Sequence, residues 1–205
     1  MQKIMFNDKY QLTKAVLEGR KTQTRRICEY SRPDESYDIV FPIFEPKDYD
    51  DEGNNTSALN YAFGWGNDEG MFTGWNKPYY KVGEIVAIAQ RYADIGIEPF
   101  PFCEAGWRNK MFVKPDLMPH QIKVTNVRIQ RLQNISDEDC LAEGIVKKVG
   151  YEGIPRYYVP WYKHTWAYAT DSAKDAYRFL IDKVSGKGTW ESNPWVFVYE
   201  FELVK

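Results

Sequence analysis

The spacing of apolar positions changes several times along the chain, and each change predicts an element. Leu12, Ala15, Val16 and Leu17 share one side of a helix that Asn7 or Asp8 can cap and Gly19 can end. The next stretch, Arg20 to Ile27, has the threonine-rich spacing of an extended segment. Lys81-Val82-Gly83-Glu84 is a turn signal leading into a short apolar strand over 85–92, expected to be central. In Gln121–Leu132, Ile122 and Val124 lie in one phase and Val127 and Ile129 in the other. That phase change predicts a bulge or strong bend between them. Ser136-x-x-Asp139 opens a short helix that Gly144 closes, and Ser172-x-x-Asp175 opens a longer one. Ala173, Tyr177, Leu180, Ile181 and Val184 form the apolar face of that second helix, which Gly186 and Gly188 end. After Asn193-Pro194, the alternation of Trp195, Phe197, Tyr199, Phe201 and Leu203 with their neighbours predicts a last strand.

Two stretches interrupt this pattern. Residues 33–78 carry Pro33, Pro42 and Pro46, an acidic loop around 45–55, and a ring-rich part with Tyr61, Phe63, Trp65, Phe72 and Trp75. Residues 145–169 hold a second aromatic set that includes Tyr157, Tyr158, Trp161, Tyr162, Trp166 and Tyr168. Both are expected to be ordered but irregular insertions, because a disordered linker does not carry so many large rings. At 205 residues the chain is expected to be one domain spanning 1–205. Its expected class is α+β: a small curved sheet or barrel with flanking helices.

Charge sharpens this picture. The formal net charge of −2 is a sum of unlike parts: residues 1–32 hold eight Lys/Arg against three Asp/Glu, residues 33–70 one against ten. The balance excludes a broadly basic nucleic-acid protein but leaves a local basic patch at the start of the chain. Cys28, Cys103 and Cys140 are far apart, His120 and His164 are the only histidines, and no CxxC occurs, so no metal site is expected. There is no G-x-x-x-x-G-K and no G-x-G-x-x-G, so no nucleoside triphosphate or dinucleotide cofactor is indicated. Without a signal peptide or a long apolar run, the expected location is the cytoplasm, away from membranes.

Leu17-Glu18-Gly19-Arg20-Lys21-Thr22-Gln23-Thr24-Arg25-Arg26 resembles the G-x-K-x-x-T-x-R pattern of ASCH domains, a branch of the PUA-like superfamily. Lys81-Val82-Gly83-Glu84 looks like the family's turn before its second strand. Val124-Thr125-Asn126-Val127, Ile135-Ser136-Asp137-Glu138 and Ala142-Glu143-Gly144-Ile145 look like the strand and short helix that follow. Asn193 to Phe201 is similar to the closing strand of phage- and prophage-encoded members. The resemblance covers a little under half of the chain and omits both insertions. Where phage-type members carry an Arg-Glu-Thr-Trp-like sequence, this chain has Ala89-Gln90-Arg91-Tyr92.

The resemblance implies a PUA-like barrel and binding of RNA or a modified nucleoside or nucleotide in a basic, aromatic-lined pocket. Arg20, Arg25, Arg26 and Gln90 are the ligand-binding candidates, with Lys21 available to phosphates. A single nucleoside or nucleotide suits the charge balance better than a long duplex. Some small members are amidohydrolases that deacylate acylated cytidines, and their Lys, Thr and Glu map onto Lys21, Thr24 and Glu143, with Glu138 as the alternative acid. In that chemistry Thr24 attacks the amide carbonyl, a neutral Lys21 takes its proton, and the acid protonates the leaving amine. Three positions along a regular strand put Lys21 and Thr24 on opposite sides, so convergence requires Lys21 to sit on the turn out of the helix. A third expectation is a phage-derived accessory module whose insertions contact another protein.

Overall fold

A computed structural model describes residues 1–98, 104–150, 153–161 and 169–204. Among these it has ten strands and five α-helices, a mixed α+β arrangement. Tyr162, His164, Trp166 and Tyr168 of the second insertion, and Cys103, lie outside the described residues.

The main sheet has five strands. They are β1 (Gln2–Ile4), β5 (Ile85–Ile88), β6 (Gln121–Arg131), β10 (Trp195–Leu203) and β2 (Gln23–Ile27), in that spatial order. β1 runs parallel to β5 and every other pair is antiparallel. β6 and β10 change register where Glu200 pairs with Asn126 and Phe201 with Val124, so Thr125 is the extra residue. This is the bulge demanded by the phase change between Val124 and Val127, and it bends the long strands. The closure into a barrel that the resemblance implies is not met. β1 is three residues long and ends before it can pair with β2, so both are edges of an open sheet. One side-chain bond, Arg26 Nη2 to the Met5 carbonyl at 2.9 Å, spans the opening.

The first helix is shorter than its apolar pattern suggests. Asn7 caps a 3-10 turn over Asp8–Tyr10, Gln11 takes a left-handed φ of 52°, and only then does α1 (Leu12–Leu17) begin. Gly19, at φ 71°, turns the chain, and the amides of Arg20 and Lys21 both donate to the Ala15 carbonyl. Lys21 therefore sits on the turn out of the helix. Helices α3 (Asp137–Ala142) and α4 (Ala173–Val184) are capped by Ser136 and Ser172, which accept from the amides of Asp139 and Asp175. α1, α3 and α4 contribute Val16, Cys140, Tyr177 and Leu180 to the core that Val124, Val127, Val196 and Val198 of the sheet complete. The short helices α2 (Glu104–Arg108) and α5 (Thr189–Ser192) lie outside the sequence expectation.

The insertions contain more regular structure than their composition suggests. β3 (Asp38–Val40) and β4 (Gly64–Gly66) form a two-stranded ribbon in the first. Its Phe63 and Trp65 rings pack against Trp195 and Phe197 of β10, with centroids 5.8–5.9 Å apart. In the second, β7 (Val146–Val149), β8 (Pro155–Tyr158) and β9 (Ala169–Thr170) form a three-stranded sheet, so "irregular" does not describe it. Lys147-Lys148 and Arg156-Tyr157-Tyr158 lack a buried face of their own, which is why no alternation marked them. Among the described residues no helix is long and apolar enough to cross a membrane.

Candidate active site

Strand β2 is the hub of the site. Its backbone groups alternate: Cys28 N donates to Trp195 O and Phe201 N to Thr22 O, so the even-numbered residues bond β10. Side chains alternate too. Thr24 and Arg26 stand opposite Tyr199 and Phe197 on one face, while Gln23 and Arg25 face the helices.

On the helix face lies a buried ion network. Lys21 Nζ donates to Glu143 Oε2 at 2.6 Å, to the Gln23 carbonyl at 2.6 Å and to the Glu143 carbonyl at 3.0 Å. Its three protons are thus all accepted, although Lys21 is only 2% exposed. Arg25 donates to Glu143 Oε1 at 3.0 Å and to Asp139 Oδ2 at 2.6 Å. Arg128 reaches the same Asp139 oxygen at 2.8 Å and also binds Glu200. Asp139 is thereby drawn away from the reciprocal capping role that its position after Ser136 suggested. Gly144, at φ 106°, lets α3 end beside Lys21: a Cβ there would stand 3.2 Å from Leu12 and 3.7 Å from the Lys21 stem.

Electrostatics follow from burial. Desolvation pushes the Lys21 ammonium below the ordinary lysine range, against the pull of the Glu143 carboxylate. Burial acts to lower Arg25 as well, but Glu143 beside it holds it above its ordinary value. Asp139 shows the opposite balance. Burial acts to raise it, and the Gln23 hydrogen bond with the Arg25 guanidinium keeps it below the usual aspartate value. Of the two candidate acids, Glu143 is 4% exposed and touches Lys21, whereas Glu138 is exposed.

A cavity of about 200 Å³ wraps the open edge of β2 and is lined from both of its faces. Lys21, Arg25 and Glu143 reach it from the helix side, Thr24 and Arg26 from the other, and Leu180 and Ile181 of α4 supply an apolar wall. Thr24 is 6% exposed. Its hydroxyl makes no hydrogen bond to any described residue, so it is available to a ligand. The edge position thus brings together residues that a regular strand would separate.

A larger cavity of about 560 Å³ adjoins it, sharing Met5, Arg26 and Ile27, and occupies the opening between β1 and β2. Tyr79, Tyr80 and Tyr199 line it, as does Cys28, whose thiol burial pushes up to about 12 and keeps unreactive near neutrality. Of the remaining candidates, Arg20 is exposed and pairs with Glu18 at 2.7 Å. Gln90 binds His120 Nδ1 at 2.7 Å and is absent from the walls of both cavities. Asp139, Arg128 and Gln23 join the network without any signal in the sequence beyond the capping pattern at Asp139, and the Tyr177 ring lies 5.9 Å from the Arg25 guanidinium. Among the described residues, no group of three or more His, Cys, Asp or Glu side chains is placed to hold a metal ion.

Comparison with family models, with curated proteins and with solved structures finds no match to this chain.

Proposed function

We propose that the chain is an ASCH-type, PUA-like amidohydrolase that removes an acyl group from the exocyclic amine of a pyrimidine nucleoside. The carrying observation is that Lys21 and Glu143, 122 residues apart, meet at 2.6 Å beside a cavity that also holds the unbonded Thr24 hydroxyl. The five-stranded sheet is read as a PUA-like arrangement left open between β1 and β2, where the cavity and the Arg26–Met5 bond lie.

The buried pair suits both proton transfers. In a low-dielectric site the charged form of a lysine is disfavoured, and a proton passed from Lys21 to Glu143 leaves a neutral amine beside a neutral acid. Thr24 Oγ1 then attacks the amide carbonyl, Lys21 takes the hydroxyl proton, and Glu143 gives its proton to the departing amine. Water then attacks the Thr24 ester, its proton passing to Glu143 while Lys21 returns a proton to Thr24 Oγ1, and the acid so released gives its own proton to solvent and leaves as the carboxylate. No hydrogen bond joins Thr24 to Lys21, and such contacts commonly tighten only once substrate is bound. Phosphate tracking along RNA has less support, because Lys21 and Arg25 are buried in ion pairs. Arg26 is the half-buried cation of the motif that meets both cavities.

The test is incubation of the full chain with N4-acetylcytidine while following free cytidine. Release of cytidine is expected. Its complete absence at enzyme concentrations matching the substrate overturns the hydrolase reading for acylated cytidines.

A further inference from the structure

The two cavities differ in size and in chemistry. Sites that enclose a whole small-molecule ligand occupy roughly 300–1,000 Å³. The smaller cavity, at about 200 Å³, is below that range and the larger, at about 560 Å³, is inside it. A nucleoside with its acyl group does not fit the smaller one alone. The apolar wall of Leu180, Ile181 and Val184 there suits a short acyl chain. The leaving half must extend across the shared boundary at Met5, Arg26 and Ile27. Thr24 stands at that boundary: it lines the small cavity, while its cross-strand partner Tyr199 lines the large one.

The walls of the large cavity carry the recognition chemistry. Tyr79, 71% exposed at its rim, offers a ring on which a base can stack. Lys3 lines the cavity too, but its ammonium is committed to the Met111 and Val113 carbonyls. Arg26 spends one nitrogen on the Met5 carbonyl and has no other hydrogen-bond partner among the described residues. Lys77 has no ion pair or hydrogen bond among them. Glu29 is the acid of this lining, and among the described residues neither Arg26 nor Lys77 is paired with it or with another carboxylate.

We infer that the large cavity binds the leaving half of the substrate as a pyrimidine 5′-nucleotide, with its phosphate on Lys77 and Arg26. This rests on the reading of Lys21, Thr24 and Glu143 as the reactive set, which fixes where the amide lies. The acylated nucleotide, rather than the nucleoside, is then the preferred substrate.

Equilibrium titration of the full chain with cytidine and with cytidine 5′-monophosphate tests it, alongside hydrolysis of the N4-acetyl form of each. The monophosphate is expected to bind at least about tenfold more tightly, the scale of a hydrogen bond to a charged group. That advantage should shrink as salt rises and shrink in Lys77→Ala, where Arg26 alone remains, while Lys77→Arg retains it. Hydrolysis of both acetyl compounds with equal binding of both unacylated ligands overturns the nucleotide subsite and leaves the hydrolase reading standing. Preferential binding of the monophosphate without hydrolysis of either compound supports the subsite and removes the hydrolase. Binding of neither ligand overturns the subsite.

Discussion

Two groups of cations flank strand β2, and the protein treats them oppositely. On the helix face, Lys21 and Arg25 are buried and matched by Glu143 and Asp139 at 2.6–3.0 Å. At the large cavity, Arg26 and Lys77 reach solvent and meet no carboxylate partner among the described residues. The matched set ties the turn after α1, strand β2 and the end of α3 into one unit, because a buried charge is tolerated only when paired. The unmatched set adds nothing comparable to the fold and leaves positive potential in a cavity with aromatic walls. Charge counted along the sequence cannot separate these two fates; only the pairing does.

The sharpest way to break the comparison is to remove the shared carboxylate. Glu143→Ala leaves two buried cations short of a partner, and truncating one side of such a pair costs about 3–5 kcal/mol. Denaturant unfolding should show that loss. A change no larger than that of an exposed residue would mean that the network does not hold the fold together. Glu143→Gln keeps an acceptor for Lys21 and should cost less.

A smaller effect sharpens the same contrast through pH. The Asp139 carboxyl sits below its ordinary value of 3.8 in the folded chain. As pH falls, the unfolded chain therefore takes up that proton first. The stability Asp139 lends is complete above the ordinary value and drains away as pH drops through the folded one. Between neutral pH and pH 3, wild-type melting temperature should fall more steeply than that of Asp139→Asn, and the two curves should converge in acid. Parallel curves would show that Asp139 is not held by Arg25 and Arg128 in solution.

The local elements were well marked in the sequence, and the reason is physical. The phase change at 124–127, the caps at Ser136 and Ser172 and the alternation after Pro194 are nearest-neighbour signals, and each became the expected feature. What failed was set at longer range. The break at Gln11 depends on a left-handed backbone that glutamine seldom adopts, and the sheet over 146–170 on strands with little buried alternation. Barrel closure depended on β1, which is too short to leave a pattern. Within the site, Gly19 marked the turn that frees Lys21 from strand alternation. The choice of Glu143 over Glu138 came only from burial and contact across 122 residues. Asp139 was masked by its own local pattern, since the capping position accounted for it without its cationic partners.

The central claim is that an unbonded hydroxyl beside a buried Lys–Glu pair performs the chemistry, and Thr24 tests it most directly. Rates of cytidine release from N4-acetylcytidine should be compared for wild type, Thr24→Ser and Thr24→Ala, with a melting curve for each. The account predicts that the serine variant keeps measurable turnover while the alanine variant loses at least about a thousandfold, a nucleophile-scale loss. It also predicts only a small drop in the alanine melting temperature, because a buried methyl but no hydrogen bond is lost. An alanine variant that turns over at the wild-type rate would contradict the account.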